Sequence, residues 1–139
     1  MRAAAIDLGR ERVGVAVADE LGALAHPRAH LPGRPESALL DALAQLVEAE
    51  GIDVFVVGLP LEMSGREGPA ARRARRFGAV LQTRTGRTVE FLDERLSTRE
   101  AAGRLREGGR NSRAARSRID SAAAALLLQT WLDARGGGR

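Results

Sequence analysis

Three carboxylates in separate parts of the chain, Asp7, Glu94 and Asp120, have the residue type and setting for chemistry. Asp7 interrupts an otherwise apolar run, Ala3 to Leu8, where a buried charge is costly unless something compensates it. Strand alternation puts Ala5, Asp7 and Gly9 on one face, so small neighbours leave room for a ligand. Gly14, on the expected partner strand, adds space. A turn-capping role beside Gly9 is the competing explanation. Glu94 follows the run Val89-Glu90-Phe91-Leu92-Asp93, at the kind of strand end where α/β proteins build sites. Asp93 and Glu94 point to opposite faces of an extended chain, so only one enters a given site. Solvated carboxylates paired with Arg95 are the alternative. Asp120 closes Ser117-Arg118-Ile119-Asp120, which has capping-box spacing, and a helix N-terminus favours negative charge on its own account. If a fold brings the three together, their oxygens suit Mg²⁺ or Mn²⁺. With no cysteine, thiolate sites and cysteine nucleophiles are excluded. The two histidines, His26 and His30, flank Pro27 and read as edge-strand residues, so zinc is not expected.

The basic residues point to a partner. All 22 are arginine, and most fall between Arg72 and Arg118. A GC-rich genome accounts for arginine over lysine, but not for the clustering. Clustered guanidinium groups suit a phosphate-rich polymer. Aromatics make up only 3% of the chain, so backbone and shape recognition is expected rather than base stacking. Three groups stand out. Arg10 and Arg12 flank the turn after Asp7, and Arg72, Arg73 and Arg76 share a helix face. Arg110, Arg113, Arg116 and Arg118 lead into Asp120. A solvated surface paired with the 18 acidic residues is the alternative for each.

The elements that must position these groups follow from periodicity. Ala3–Leu8 and Val13–Ala18 read as a hairpin, and Ala23–Leu31 as a third strand confined to an edge by Pro27. Pro35 opens a helix with Leu39, Leu40, Leu43, Leu46 and Val47 on one stripe, and Gly51 closes it. Val54–Val57 is a short apolar run suited to a central strand. Pro69 starts a helix with a core stripe of Ala70, Ala74, Phe77, Gly78 and Leu81. Thr88–Leu92 is a strand. Ser97-Thr98-Arg99-Glu100 has capping-box spacing and starts a helix that Gly108-Gly109 ends. Ile119–Leu132 reads as a final helix, and Ala122–Leu128 is apolar all round, so the helix is expected to be buried. This order predicts an α/β fold: a mixed five-stranded sheet, antiparallel in its hairpin-led half and then parallel, with helices on both faces. Residues 1–135 are expected to form one domain, with 136–139 a flexible glycine-rich tail. The opening residues lack a signal-peptide pattern and no apolar run reaches membrane-spanning length, so a cytoplasmic location is expected.

Four ordered blocks resemble the YqgF (RuvX) family. They are the segment from Ala5 to Asp19, Val57-Gly58-Leu59-Pro60-Leu61 leading to Gly65 and Glu67-Gly68, Asp93-Glu94-Arg95-Leu96-Ser97-Thr98, and Ile119-Asp120-Ser121-Ala122-Ala123. The resemblance spans nearly the whole chain. It implies a ribonuclease H-like fold related to the RuvC resolvases, with Asp7, Glu94 and Asp120 as the catalytic, metal-binding acids. Thr98 would support the site or contact phosphate. Where the family usually has Asn-Met-Asp, this chain has Glu62-Met63-Ser64.

The chemistry so implied is hydrolysis of a phosphodiester with two divalent ions, roughly 4 Å apart and bridged by Asp7. It would leave 5′-phosphate and 3′-hydroxyl ends. The substrate would be structured RNA, namely precursor 16S ribosomal RNA at its 5′ end, or branched DNA in the form of four-way junctions. Resolving a junction calls for a homodimer. Two other classes compete: an actin-like phosphotransferase, for which 139 residues supply only one of two needed subdomains, and a nucleic-acid binding module that does not cut.

Overall fold

The computed structural model describes residues 1–108 and 121–136. The chain opens with β1 (Ala3–Leu8), β2 (Arg12–Ala18) and β3 (Ala25–Pro32), followed by α1 (Glu36–Glu50) and β4 (Val54–Leu59). Then come α2 (Pro69–Thr85), β5 (Thr88–Asp93), a 3₁₀ turn (Glu94–Leu96), α3 (Arg99–Gly108) and α4 (Ala122–Gly136). The five strands form one sheet in the order β3-β2-β1-β4-β5. The β1–β2 and β2–β3 pairs are antiparallel, and the β1–β4 and β4–β5 pairs are parallel. This is the expected mixed sheet. β3 is an edge, which tolerates the missing amide of Pro27.

Alternation along the strands divides the core in two. Ile6, Val13, Val15, Val17, Phe55 and Val57 face α1 and α2. Ala3, Ala5, Ala16, Ala18, Val54 and Val56 face α4. The α4 side is lined mostly with alanine, so a helix can lie close against it. The α1 and α2 side carries the bulk, with Phe55, Phe77, Leu43 and Leu81 almost fully buried. Burying each such side chain is worth about 1.5–3 kcal/mol.

Local boundaries depart from the sequence reading by a residue or two in several places, β3 for instance running Ala25–Pro32 rather than Ala23–Leu31. β4 runs two residues further, because Gly58 and Leu59 pair with Leu92 and Asp93 of β5. In α2 the exposed residue is Ala70, and Ala71 takes the core position with Ala74, Phe77, Gly78 and Leu81. α3 is capped by Thr98, whose Oγ1 accepts from Ala101 N at 3.0 Å, one residue later than the Ser97 capping box implies. α4 extends to Gly136, the first residue of the expected tail. Gly51, in the left-handed conformation at φ 67°, ends α1 as anticipated.

Candidate metal centre

Asp7 lies on the middle strand. It shares a face with Ala3 and Ala5 and so looks toward the α4 side of the sheet. Its partner on β2 is Gly14. On the other flank Ile6 is in register with Val57, and the next step of that register brings Asp7 alongside Gly58. The acid is thus bordered by a glycine on each neighbouring strand. Gly14 is the one whose spatial role the sequence suggested.

Glu94 arrives from beyond β5. Asp93 is occupied by its own neighbour: its Oδ1 accepts from Arg95 N at 2.9 Å, and its Oδ2 accepts from Arg95 Nη2 at 2.8 Å. This pairing holds Asp93 below the usual carboxylate range. It also starts the 3₁₀ turn that swings Glu94 back over the sheet. The sequence could not choose between the two acids. Arg95 makes the choice by taking Asp93.

The Glu94 side chain crosses β4 toward Asp7. Its Oε1 lies 2.6 Å from where a Cβ would stand on Gly58. Burial raises the Glu94 pKa first, then a hydrogen bond with the Asp7 carboxyl and the charges of Asp7 and Asp93, to about 7. Two carboxyls brought together in this way form a seat for a cation. Their hard oxygens fit a divalent ion of the Mg²⁺ or Mn²⁺ type. Among the described residues no group of three or more His, Cys, Asp or Glu side chains converges, so the pair is what the described chain supplies. Asp120 lies outside the described residues, with Arg110, Arg113, Arg116 and Arg118. Ser121, which follows Asp120 in sequence, is fully buried, and its Oγ accepts from Val15 N at 3.1 Å. That anchor sits one residue from Gly14, where the β2–β3 register shifts between Val13 and Val15. Nothing in the sequence singled out Ser121 for this task.

The arginines divide by partner. Arg73 is half-buried and donates from Nη2 to Gly9 O at 2.9 Å, bracing the turn that follows Asp7. Arg10, Arg73 and Arg76 line one cleft with Leu8, Leu39 and Phe77. That cleft opens on the α1 and α2 side, on the opposite face from the carboxyl pair. Arg76 pairs with Glu36 at 2.5 Å, and Arg75 forms a two-point pair with Glu67 at 2.7 Å. Arg72 also meets Glu67, donating from Nη1 to its backbone O at 3.2 Å. Arg12 is exposed at the start of β2. Thr98 is exposed and spends its hydroxyl on the α3 cap. His26 and His30 lie on edge strand β3, two strands from Asp7.

Comparison with known proteins agrees over the full length. A relative from Anaeromyxobacter sp. (strain Fw109-5) is 47% identical over 97% of this chain and 98% of its own. One from Myxococcus xanthus (strain DK1622) is 42% identical over 96% and 89%. Both carry the name of a pre-16S rRNA nuclease. Among solved structures, Thermus thermophilus RuvC in complex with a Holliday junction substrate superposes with a TM-score of 0.62, at 18% identity, over 99% of this chain and 96% of its own. The fowlpox virus Holliday junction resolvase gives 0.57, at 13% identity, over 96% and 99%. These likenesses establish the ribonuclease H-like fold. The family model RuvX, described as Holliday junction resolvase, matches residues 1–134, and the chain belongs to that family.

Proposed function

We propose that the protein is a divalent-metal-dependent phosphodiester nuclease on structured nucleic acid, and that its task is 5′-end processing of precursor 16S rRNA. The observation that carries the chemistry is the Asp7–Glu94 pair, two carboxyls brought together where Glu94 passes over Gly58. The names of the relatives, at 42–47% identity over most of their own length, support the RNA substrate.

Asp7, Glu94 and Asp120 would hold the metal. Divalent ions bound there supply positive charge that activates a water and stabilises the departing 3′-oxygen. The protein's own groups do the rest. Asp7 is fixed by the middle strand, so it sets the position of the site. Glu94 must give up its proton to act as a ligand, which ties metal binding to pH. Arg110, Arg113, Arg116 and Arg118, which precede Asp120 in sequence, offer guanidinium donors to phosphates beside the scissile bond, and Arg10, Arg12, Arg72, Arg73 and Arg76 to phosphates further along the polymer. Cleavage leaves 5′-phosphate and 3′-hydroxyl ends. Among the described residues no helix is long and apolar enough to cross a membrane. A cytoplasmic location follows from the substrate.

Resolution of four-way DNA junctions is the second reading, favoured by the description of the family model. It requires a homodimer so that two sites cut opposed strands. One experiment separates the two. Wild type and Asp7→Asn are given a labelled precursor-rRNA fragment and a labelled four-way junction, each with Mn²⁺ and with Mg²⁺. Asp7-dependent cutting of the RNA alone supports the first reading, and of the junction alone the second. Salt-sensitive binding of both without cutting would overturn the nuclease assignment in favour of a binding module.

A further inference from the structure

Gly58 stands where glycine is disfavoured: inside a central, otherwise apolar strand with a covered face on each side. Its backbone does not call for glycine. Among the described residues the positive-φ glycines are Gly22, Gly51, Gly65 and Gly86, and Gly58 is not one of them. The requirement is therefore for space, and the structure shows what takes it up. The three heavy atoms nearest a Cβ at this position are Oε1, Cγ and Cδ of Glu94, at 2.6, 3.1 and 3.2 Å. All three belong to one side chain.

The sheet order explains why the space matters. β1 and β5 are separated by β4. Glu94, which follows β5, can meet Asp7 on β1 only by passing over β4, and it passes at Gly58. We infer that Gly58 is a positioning residue: its missing side chain is the seat that lets the Glu94 carboxylate reach Asp7 and complete the metal centre. The inference rests on the metal-binding reading above. A methyl group at this position would meet the flexible end of Glu94 rather than backbone. Gly58→Ala is thus accommodated by moving the carboxylate, and the protein still folds.

Mn²⁺ binding to the full-length protein without nucleic acid, followed by electron paramagnetic resonance, tests this directly. Gly58→Ala should bind Mn²⁺ about 10-fold or more weakly, as loss of a group that orients a ligand does elsewhere. Glu94→Asp, one methylene shorter, no longer reaches over Gly58 and should weaken binding on its own, with little further loss when Gly58→Ala is added. Wild-type affinity in Gly58→Ala would overturn the proposal and leave the metal reading standing. No Mn²⁺ binding by wild type would overturn both. If Gly58→Ala also lowers the melting temperature, Glu94→Ala decides the cause. A loss that disappears in that background supports the seat, and one that persists makes Gly58 a backbone requirement and overturns it.

Discussion

Asp7 is a charge in an apolar strand, and that made it legible as a candidate site residue. Asp7→Asn should leave the melting temperature within a few degrees of wild type and lower turnover by more than about 100-fold, since it removes charge aimed at the reacting centre. Retained cutting with normal metal dependence would reject the assignment. Glu94 was legible only as one of two adjacent acids, because the choice depends on Arg95, whose side-chain direction the sequence does not state. Its pKa has a testable sign. The ordinary value is 4.5, and the folded value is about 7. The folded metal-free protein therefore holds a proton that the unfolded chain has released. Its stability contribution is complete below 4.5 and is lost as pH rises through about 7. Thermal melts of the metal-free protein should fall over this window, and less so for Glu94→Gln. Mn²⁺ affinity should rise over the same window, because the ligand must be deprotonated.

The helices and strands were read well in kind and less well at their ends. β4 appeared to stop at Val57 because Gly58 breaks the β-branched run, yet β5 continues the ladder alongside it. The cap of α3 shifted by one residue because Ser97 and Thr98 are both competent, and the turn at Glu94–Leu96 sets which one faces the free amides. Thr98→Asp separates two roles. Asp caps as well as Thr, so stability should change by less than about 1 kcal/mol. If Thr98 also touches phosphate, nucleic-acid affinity should drop in the same variant. On α4, directly after the run Ala122–Leu128 that reads as apolar all round, one polar residue is fully buried for a reason. Gln129 Oε1 accepts from Ala25 N at 2.9 Å, and its Nε2 donates to Ala23 O at 2.9 Å. It fastens α4 to the start of edge strand β3. Gln129→Met keeps the volume but strands those backbone groups, and denaturant melts should show a loss of about 1–3 kcal/mol.

For the molecule as a whole, the order of elements and the mixed sheet were legible, since a hairpin followed by alternating units admits few arrangements. Which strand lies in the middle was not legible, because pairing partners are set by tertiary contact. Charge was read in part. Like charges along α2 suggested a need for a polyanion, but Arg75, Arg76 and Arg84 have Glu67, Glu36 and Asp41. Arg73 braces the Gly9 turn, so the grip on phosphate falls more on Arg10. On duplex DNA the log of affinity should fall with the log of salt by about 0.9 per phosphate contact, and Arg10→Ala should reduce that slope by about one contact. A flat profile would remove the arginines from the interface. The sheet order has one more consequence. Asp7 rides on a strand bonded on both sides, whereas Glu94 rides on a short turn beyond an edge strand. Amides of β1 exchange with heavy water only through opening of the sheet, and those of the turn through local fraying. The two ligands therefore keep different clocks, and a bound ion should slow the faster one.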